Sequence, residues 1–152
     1  MAINNLTPIT PELLYDGLVE KLPDKKSRMT EFIRENKSSG NNYMDLFAQT
    51  VRVYGKRDVA DYGELLGVNY RHLDGAVRWM SGMGVHAWMT EYLRLVACDL
   101  VEHTDFSFKE IGKIMGFSQS SFSQFFRAYQ KMQAWEYRNL KRHGRKRRYF
   151  RR

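Results

Sequence analysis

Helix signals recur twice along this chain in the same order: a short helical segment, a glycine and a longer helical segment. The glycines at the two turns, Gly67 and Gly116, lie 49 residues apart. Prolines occur only at positions 8, 11 and 23, so no proline interrupts the helices of either copy. No useful stretch alternates apolar and polar residues as a half-buried strand does. The sequence therefore predicts an all-α fold.

The ends of these helices are marked by capping residues. In the first copy, residues 58–61 resemble a capping box and Asn69 caps the longer helix. In the second copy, residues 107–110 form a capping box and Ser118 begins the longer helix. Between the copies, residues 85–102 predict one long connecting helix of roughly 27 Å at 1.5 Å per residue. Its wide apolar face indicates packing against two partners.

The first 41 residues predict an N-terminal helical extension, a hairpin of two helices. The first begins at Thr10-Pro11 and ends near Leu22, and the second covers residues 26–37. Residues 38–42 are a break that we take as the boundary with the main domain. The hairpin either covers one flank of that domain or makes a homodimer contact. The apolar side chains available for such a contact are Leu14, Leu18, Phe32 and Ile33.

The charge of the chain is concentrated at its C-terminal end. The net charge is +8, of which residues 143–152 supply +6, the main domain (42–142) +2 and residues 1–41 none. A basic tail favours a polyanionic partner such as nucleic acid. We expect this tail to be disordered.

Several classes of protein are excluded by what the sequence lacks. Cys98 is the only cysteine, so no disulfide forms within the chain, as is typical of a reducing cytoplasm. The N-terminus does not resemble a signal peptide, and no apolar run is long enough to span a membrane. The four histidines are scattered without metal-ligand spacing, and no catalytic set of side chains is evident. We expect a cytoplasmic protein with no metal, cofactor, membrane partner or enzymatic activity.

A short helix, a tight turn and a longer helix form a helix-turn-helix unit. The longer helix enters a DNA major groove about 12 Å wide, while the shorter one braces it. A connecting helix of roughly 27 Å could hold two such reading helices near the 34 Å of one DNA turn. The sequence thus predicts two helix-turn-helix subdomains joined by a long connecting helix.

Residues 58–138 resemble the DNA-binding domain of AraC/XylS-type transcription regulators. The motifs that carry the resemblance are Asn69-Tyr70-Arg71-His72-Leu73, residues 105–118 with their Gly-Phe-Ser turn, residues 121–127, and Glu136-Tyr137-Arg138. The match is divergent, because Lys131 and Ala134 stand where the family usually has Gly and Pro.

The resemblance implies which side chains meet DNA. The base-reading positions fall on Arg71, Asp74, Gly75, Gln119, Ser120, Ser123 and Gln124. Arginine can pair with guanine and glutamine with adenine, whereas an aspartate could accept from cytosine but repels phosphate. We expect the second unit to carry more of the specificity. The expected phosphate contacts are Asn69, Arg78, Ser118, Arg127 and Lys131, with Arg145, Lys146, Arg147 and Arg148 of the tail.

These features predict a bacterial transcription regulator that binds duplex DNA sequence-specifically through two recognition helices. RNA polymerase is a candidate second partner. The regulator would act as a monomer or as a homodimer through the N-terminal helices. One alternative is a protein-interaction module on a degenerate helix-turn-helix scaffold, which the near-neutral main domain, Asp74 and Gly75 favour. Another is an RNA-binding protein that uses the basic tail.

Overall fold

The computed structural model describes residues 7–16 and 36–150, with side chains as far as residue 143. Within these residues the chain forms helices and no strand, as predicted. The helices are α1 (Pro11–Leu14), α2 (Asn42–Tyr54), α3 (Val59–Leu66), α4 (Tyr70–Ser81), α5 (Val85–His103), α6 (Phe108–Ile114), α7 (Gln119–Gln130) and α8 (Ala134–Phe150). None of the helices in these parts of the chain has both the length and the apolar character needed to cross a membrane.

Helix α5 forms the centre of the fold, because α1, α2, α4, α6, α7 and α8 all pack against it. Near its start, Trp88 and Tyr92 are fully buried and stack with ring centroids 5.3 Å apart. Phe47 of α2 packs on Trp88 at 5.2 Å. In the second half of the fold, the ring of buried Phe126 lies 5.4 Å from that of Tyr137. Burial of each large apolar side chain stabilises the fold by roughly 1.5–3 kcal/mol, and the wide apolar face predicted for α5 is confirmed.

Most of the predicted helix starts are confirmed by their hydrogen bonds. The Asn69 side chain accepts from the backbone N–H of His72 at 2.8 Å. Ser107 and Glu110 form the predicted capping box, with reciprocal bonds of 3.1 and 2.8 Å. Asp58 occupies the N-cap position of α3 but makes no side-chain capping bond, so the capping box predicted there is wrong.

The first N-terminal helix is shorter than predicted. It ends at Leu14, and Tyr15 has extended backbone angles, so the prediction of a helix is wrong at Tyr15 and Asp16. The reason is a set of long-range contacts: the Tyr15 hydroxyl donates to Asp99 of α5 at 2.5 Å. The rest of that predicted helix, from residue 17, lies outside the described residues.

The second predicted helix, 26–37, lies mostly outside the described residues. Its last two residues are not helical, and the Lys37 N–H donates to the Leu14 carbonyl at 2.8 Å. The Leu14 side chain is fully buried in the core. In this structure the Leu14 side chain is not available for the homodimer contact considered above, because it is covered within the chain. The other three side chains of that hypothesis, Leu18, Phe32 and Ile33, lie outside the described residues.

The described N-terminal residues, 7–16, lie against one flank of the main domain. The indole N–H of Trp88 donates to the Ile9 carbonyl at 2.9 Å. The guanidinium of buried Arg52 donates to the Asp16 carbonyl at 2.9 Å and stacks on Tyr15, 5.0 Å from its ring centroid. Residues 7–16 thus share the core of the main domain.

Two arginines of α8 close the C-terminal end of α5. Arg138 donates to the carbonyls of Val101 and Phe106 at 2.7 and 2.8 Å, and burial lowers its pKa. Arg142 donates to the Thr104 carbonyl at 2.6 Å. The Val101 carbonyl belongs to the last turn of α5, whose carbonyls have no partner within the helix, and the other two lie just beyond it.

Helix α8 continues to Phe150, so the prediction of a disordered tail from residue 143 is wrong as far as the backbone is described. The stretch contains no proline, and lysine and arginine are good helix formers. Cationic residues are also favoured near a helix C-terminus by the helix dipole.

Candidate nucleic-acid interface

The first helix-turn-helix unit consists of α3, a turn at Gly67 and α4, and we count with it the loop of residues 55–58 that leads into α3. Gly67 has left-handed backbone angles (φ 75°, ψ 25°). The Val68 N–H donates to the Gly63 carbonyl at 2.8 Å. A β-carbon on Gly63 would lie 2.6 Å from the Val68 carbonyl oxygen. The turn is therefore tight and depends on glycine at both positions.

The orientation of α4 is set by Leu73 and Val77, which are fully buried. Its opposite side carries the exposed residues Arg71, His72, Gly75, Arg78 and Trp79. Trp79 is 71% exposed, the largest value among the exposed large apolar side chains of the described residues. A side chain at Gly75 would meet open space. Of the base-reading residues predicted in this unit, Arg71 lies free on the exposed side.

Asp74 is held within the protein instead. One carboxylate oxygen accepts the backbone N–H of Val85 at 2.9 Å, and the other accepts from Arg78 Nε at 3.0 Å. Val85 is the first residue of α5, and its N-cap, Gly84, has no side chain to cap the helix. Asp74 thus caps α5 from a distance. The Val85 N–H, and secondly Arg78, lower the pKa of Asp74, so its carboxylate is already engaged.

The second unit consists of α6, a turn at Gly116 and α7. Phe122 and Phe126 are buried, and they turn the other side of α7 outward. That side brings together the exposed residues Gln119, Ser120, Ser123, Gln124 and Arg127. All the base-reading residues predicted in this unit therefore lie on an accessible surface of one helix.

The far end of α7 is anchored to α5 through Gln130. Its side-chain oxygen accepts from Arg94 at 2.8 Å and lies 3.2 Å from the sulfur of Cys98. Arg94 is itself fixed by a two-point contact with Glu91, at 2.7 and 3.0 Å. Burial raises the pKa of the Cys98 thiol, which favours a packing role for it.

Lys131 ends α7 in the left-handed conformation, with φ 66°. No other described residue apart from glycine has a positive φ. This is the position where the resembled family usually has glycine. The side chain is exposed, so it is available for a phosphate contact at the cost of backbone strain.

Asn69 and Ser118, two of the predicted phosphate contacts, cap α4 and α7. The Ser118 hydroxyl oxygen accepts from the Ser121 N–H at 3.1 Å and lies 3.5 Å from the Ser120 hydroxyl. Both caps are exposed. The amide N–H groups of Asn69 and the hydroxyl hydrogen of Ser118 can still donate to a phosphate.

The two units are tied together beside the second turn. The Lys56 N–H donates to the Met115 carbonyl at 2.7 Å. This contact places Lys56 and Arg57, which are both exposed, in a cleft lined also by Ser118, Ser121 and Gln124 of the second unit. Sequence reasoning did not include these two cations, because they precede the first helix of the unit. The available signal was a pair of adjacent basic residues directly after Gly55.

The remaining predicted DNA contacts belong to the basic tail. Arg145, Lys146, Arg147 and Arg148 lie on the backbone of α8, beyond the side chains that the structure describes. In the described part of the chain, no three residues of the metal-ligating types come together as a site.

The family model for the helix-turn-helix domain matches residues 62–140, just over half of the chain. The chain belongs to the AraC-type helix-turn-helix family. No curated protein sequence matches the chain. Members of this family bind DNA and regulate transcription, and the chain is accordingly a DNA-binding transcription regulator, a class that is generally not enzymatic.

Two solved structures share the fold of this AraC-type protein. One is the C-terminal domain of the two-component response regulator yesN from Fusobacterium nucleatum, with a TM-score of 0.56 and 18% identity over 64% of this chain and 99% of that one. The other is the C-terminal domain of AraT, a response regulator from Geobacillus stearothermophilus, with a TM-score of 0.53 and 18% identity over 77% of this chain and 88% of that one.

Proposed function

We propose that this regulator binds duplex DNA sequence-specifically by inserting α4 and α7 into successive major-groove segments. The observation that carries the proposal is the joint attachment of both units to α5 and to each other through the Lys56–Met115 hydrogen bond. Helix α5 has 19 residues and thus spans about 28 Å at 1.5 Å per residue. This length is compatible with two reading helices about one DNA turn apart.

Helix α7 supplies most of the sequence specificity in this proposal. Gln119 and Gln124 read adenine through paired hydrogen bonds, and Ser120 and Ser123 make single contacts to base edges. In the first unit, Arg71 alone reads a base, pairing with guanine, since Asp74 is engaged by Val85. The phosphate contacts are Asn69, Arg78, Ser118, Arg127 and Lys131, with Arg145, Lys146, Arg147 and Arg148 of the tail.

Selection of duplexes from a random pool by the full-length chain, followed by sequencing, tests the proposal. We expect a bipartite motif whose halves are about one helical turn apart, with guanine at one position of the weaker half. A structured RNA competitor should not displace the selected duplex. Absence of any enriched sequence, or displacement by RNA, would contradict the proposal.

A second candidate function applies to the first unit alone. Its exposed side carries an open glycine position at Gly75 and the exposed ring of Trp79, features that suit a protein partner such as RNA polymerase. In that case the selection would recover one short motif, read by α7. Loss of transcriptional effect in a Trp79→Ala variant that retains DNA affinity would then identify the protein contact.

A further inference from the structure

A cleft of about 530 Å³ lies between the two units. One side is the loop between α2 and α3, which carries Lys56 and Arg57, and the other is the first half of α7, with Ser121 and Gln124. The early turns of α5, including Thr90, line it as well. Its polar groups thus come from both units: Lys56 and Arg57 from the first, and Ser121 and Gln124 from α7 of the second.

Both cations have contacts that favour this position. The Lys56 N–H bonds to the Met115 carbonyl, and the Lys56 ammonium lies 5.9 Å from the centroid of the Phe117 ring. The Arg57 guanidinium lies 5.2 Å from the centroid of the Tyr54 ring. Aromatic rings attract such cations and limit their mobility. Both side chains are therefore presented to the cleft beside the start of α7.

Neither cation is neutralised by a partner in the described part of the chain, where no ion pair involves Lys56 or Arg57. Asp58, which also lines the cleft, offsets one of the two positive charges. The remaining lining side chains are neutral, apart from any charge on His86. The cleft thus offers two charged donors next to serine hydroxyls, a combination that fits the phosphodiester groups of a nucleic-acid backbone.

We propose that Lys56 and Arg57 of the first unit bind the DNA strand backbone next to the segment that α7 reads. The inference rests on the function proposed above and adds a contact between units. The first unit would hold the second on its site, so that affinity depends on Lys56 and Arg57 while base preference depends on α7. Because phosphates carry no sequence information, the effect should be equal for all duplexes.

The test measures log affinity against log salt concentration for the full-length chain and for a Lys56→Gln/Arg57→Gln variant. Loss of two phosphate contacts should reduce the salt slope by roughly 1.8, with the ratio of specific to non-specific affinity unchanged. The charge-conserving exchange Lys56→Arg/Arg57→Lys should keep the original slope. Lys37→Gln removes the charge of another exposed lysine, whose backbone bonds to Leu14 away from the cleft, and should leave the slope unchanged.

Asp58→Asn gives an independent test in which the affinity for DNA should rise, since it removes the negative charge that lines the cleft. It should tighten binding to all duplexes alike. An unchanged slope for the double glutamine variant, with duplex selection intact, would overturn this inference but leave the proposed function standing. A normal slope with no enriched sequence would instead contradict the proposed function. Thermal unfolding of each variant establishes that the fold is retained.

Discussion

Gly55 lies against the carbonyl group of Met115 so closely that a β-carbon at position 55 would come within 2.3 Å of the Met115 oxygen. The backbone angles of Gly55, φ 74° and ψ −151°, belong to a region that is used almost only by glycine. The first unit can therefore approach the turn of the second because position 55 has no side chain. This contact, with the adjacent Lys56 bond, limits how the units rotate about α5.

Gly55→Ala should destabilise the protein strongly, by about 3 kcal/mol or more, because it combines a backbone strain of about 1–3 kcal/mol with a steric clash. Gly67→Ala is the matched control. Gly67 has a nearly identical φ of 75°, but a β-carbon there meets nothing within 4 Å. Its cost should be about 1 kcal/mol. Urea unfolding measures both values, and equal losses would mean that the contact between the units contributes nothing.

Asp74→Ala should lower the free energy of unfolding by about 1–2 kcal/mol, because it removes the side chain that caps α5. Asp74→Asn keeps an acceptor for the Val85 N–H and should lose less. Asp58→Ala is the control, since Asp58 begins a helix without a capping bond. In duplex selection, the Asp74 variants should leave the base preference unchanged. A changed preference at one base pair would show that Asp74 does read a base.

The stability that Asp74 provides should depend on pH with a definite sign. Its pKa is lower in the folded protein than in the unfolded chain, chiefly because of the Val85 N–H. The stabilisation is therefore complete above roughly pH 4, the unfolded value, and is lost as the pH falls through the folded pKa. The difference in the free energy of unfolding between the unsubstituted protein and Asp74→Asn, measured by urea unfolding, should shrink over that acidic range.

The helices from residue 42 onward could be predicted because their starts and stops are local. Asn69 bonds three residues ahead, and Gly67 ends α3 by its own conformation. The segment whose helix was predicted wrongly, at Tyr15, depends on contacts between residues that are distant in the sequence. Tyr15 leaves the helix to meet Asp99, which is 84 residues away, and no periodicity in the sequence contains that information.

The same distinction applies to the candidate site. The exposed side of α7 could be predicted, since the spacing of Phe122 and Phe126 fixes which side of the helix is buried. The engagement of Asp74 could not, because its partner at Val85 begins a different helix. Lys56 is brought to the second unit by the Met115 bond, which again joins residues far apart in the sequence.

Lys131→Gly should stabilise the protein by roughly 0.5–1 kcal/mol, because glycine adopts the left-handed conformation at this helix end without strain. Lys131→Ala is the control: it removes the same charge but keeps the strain, so no gain is expected. If Lys131 contacts a phosphate, both variants should reduce the salt slope of DNA binding by about 0.9. If Lys131→Ala also stabilised the protein, relief of charge repulsion would explain the gain instead of relief of backbone strain.

Gln124→Ala should weaken binding to the selected duplex by about 1–3 kcal/mol and relax the preference at one base pair. Affinity for unrelated duplexes should stay the same, because the phosphate contacts remain. Gln49→Ala, which alters an exposed glutamine of α2, is the matched control and should change neither quantity. A uniform loss across all duplexes would show that Gln124 positions the helix and does not read a base.

Replacement of Arg145, Lys146, Arg147 and Arg148 by glutamine tests the basic end of α8. Glutamine is a good helix former, so the helix should persist while four charges are removed. If all four contact phosphates, the slope of log affinity against log salt should fall by roughly three to four, with the selected motif unchanged. The control is replacement by the alternative cation, arginine by lysine and lysine by arginine, which should preserve the slope. An equal slope for the glutamine variant would exclude these residues from the DNA contact and attribute the salt dependence to the two helix-turn-helix units.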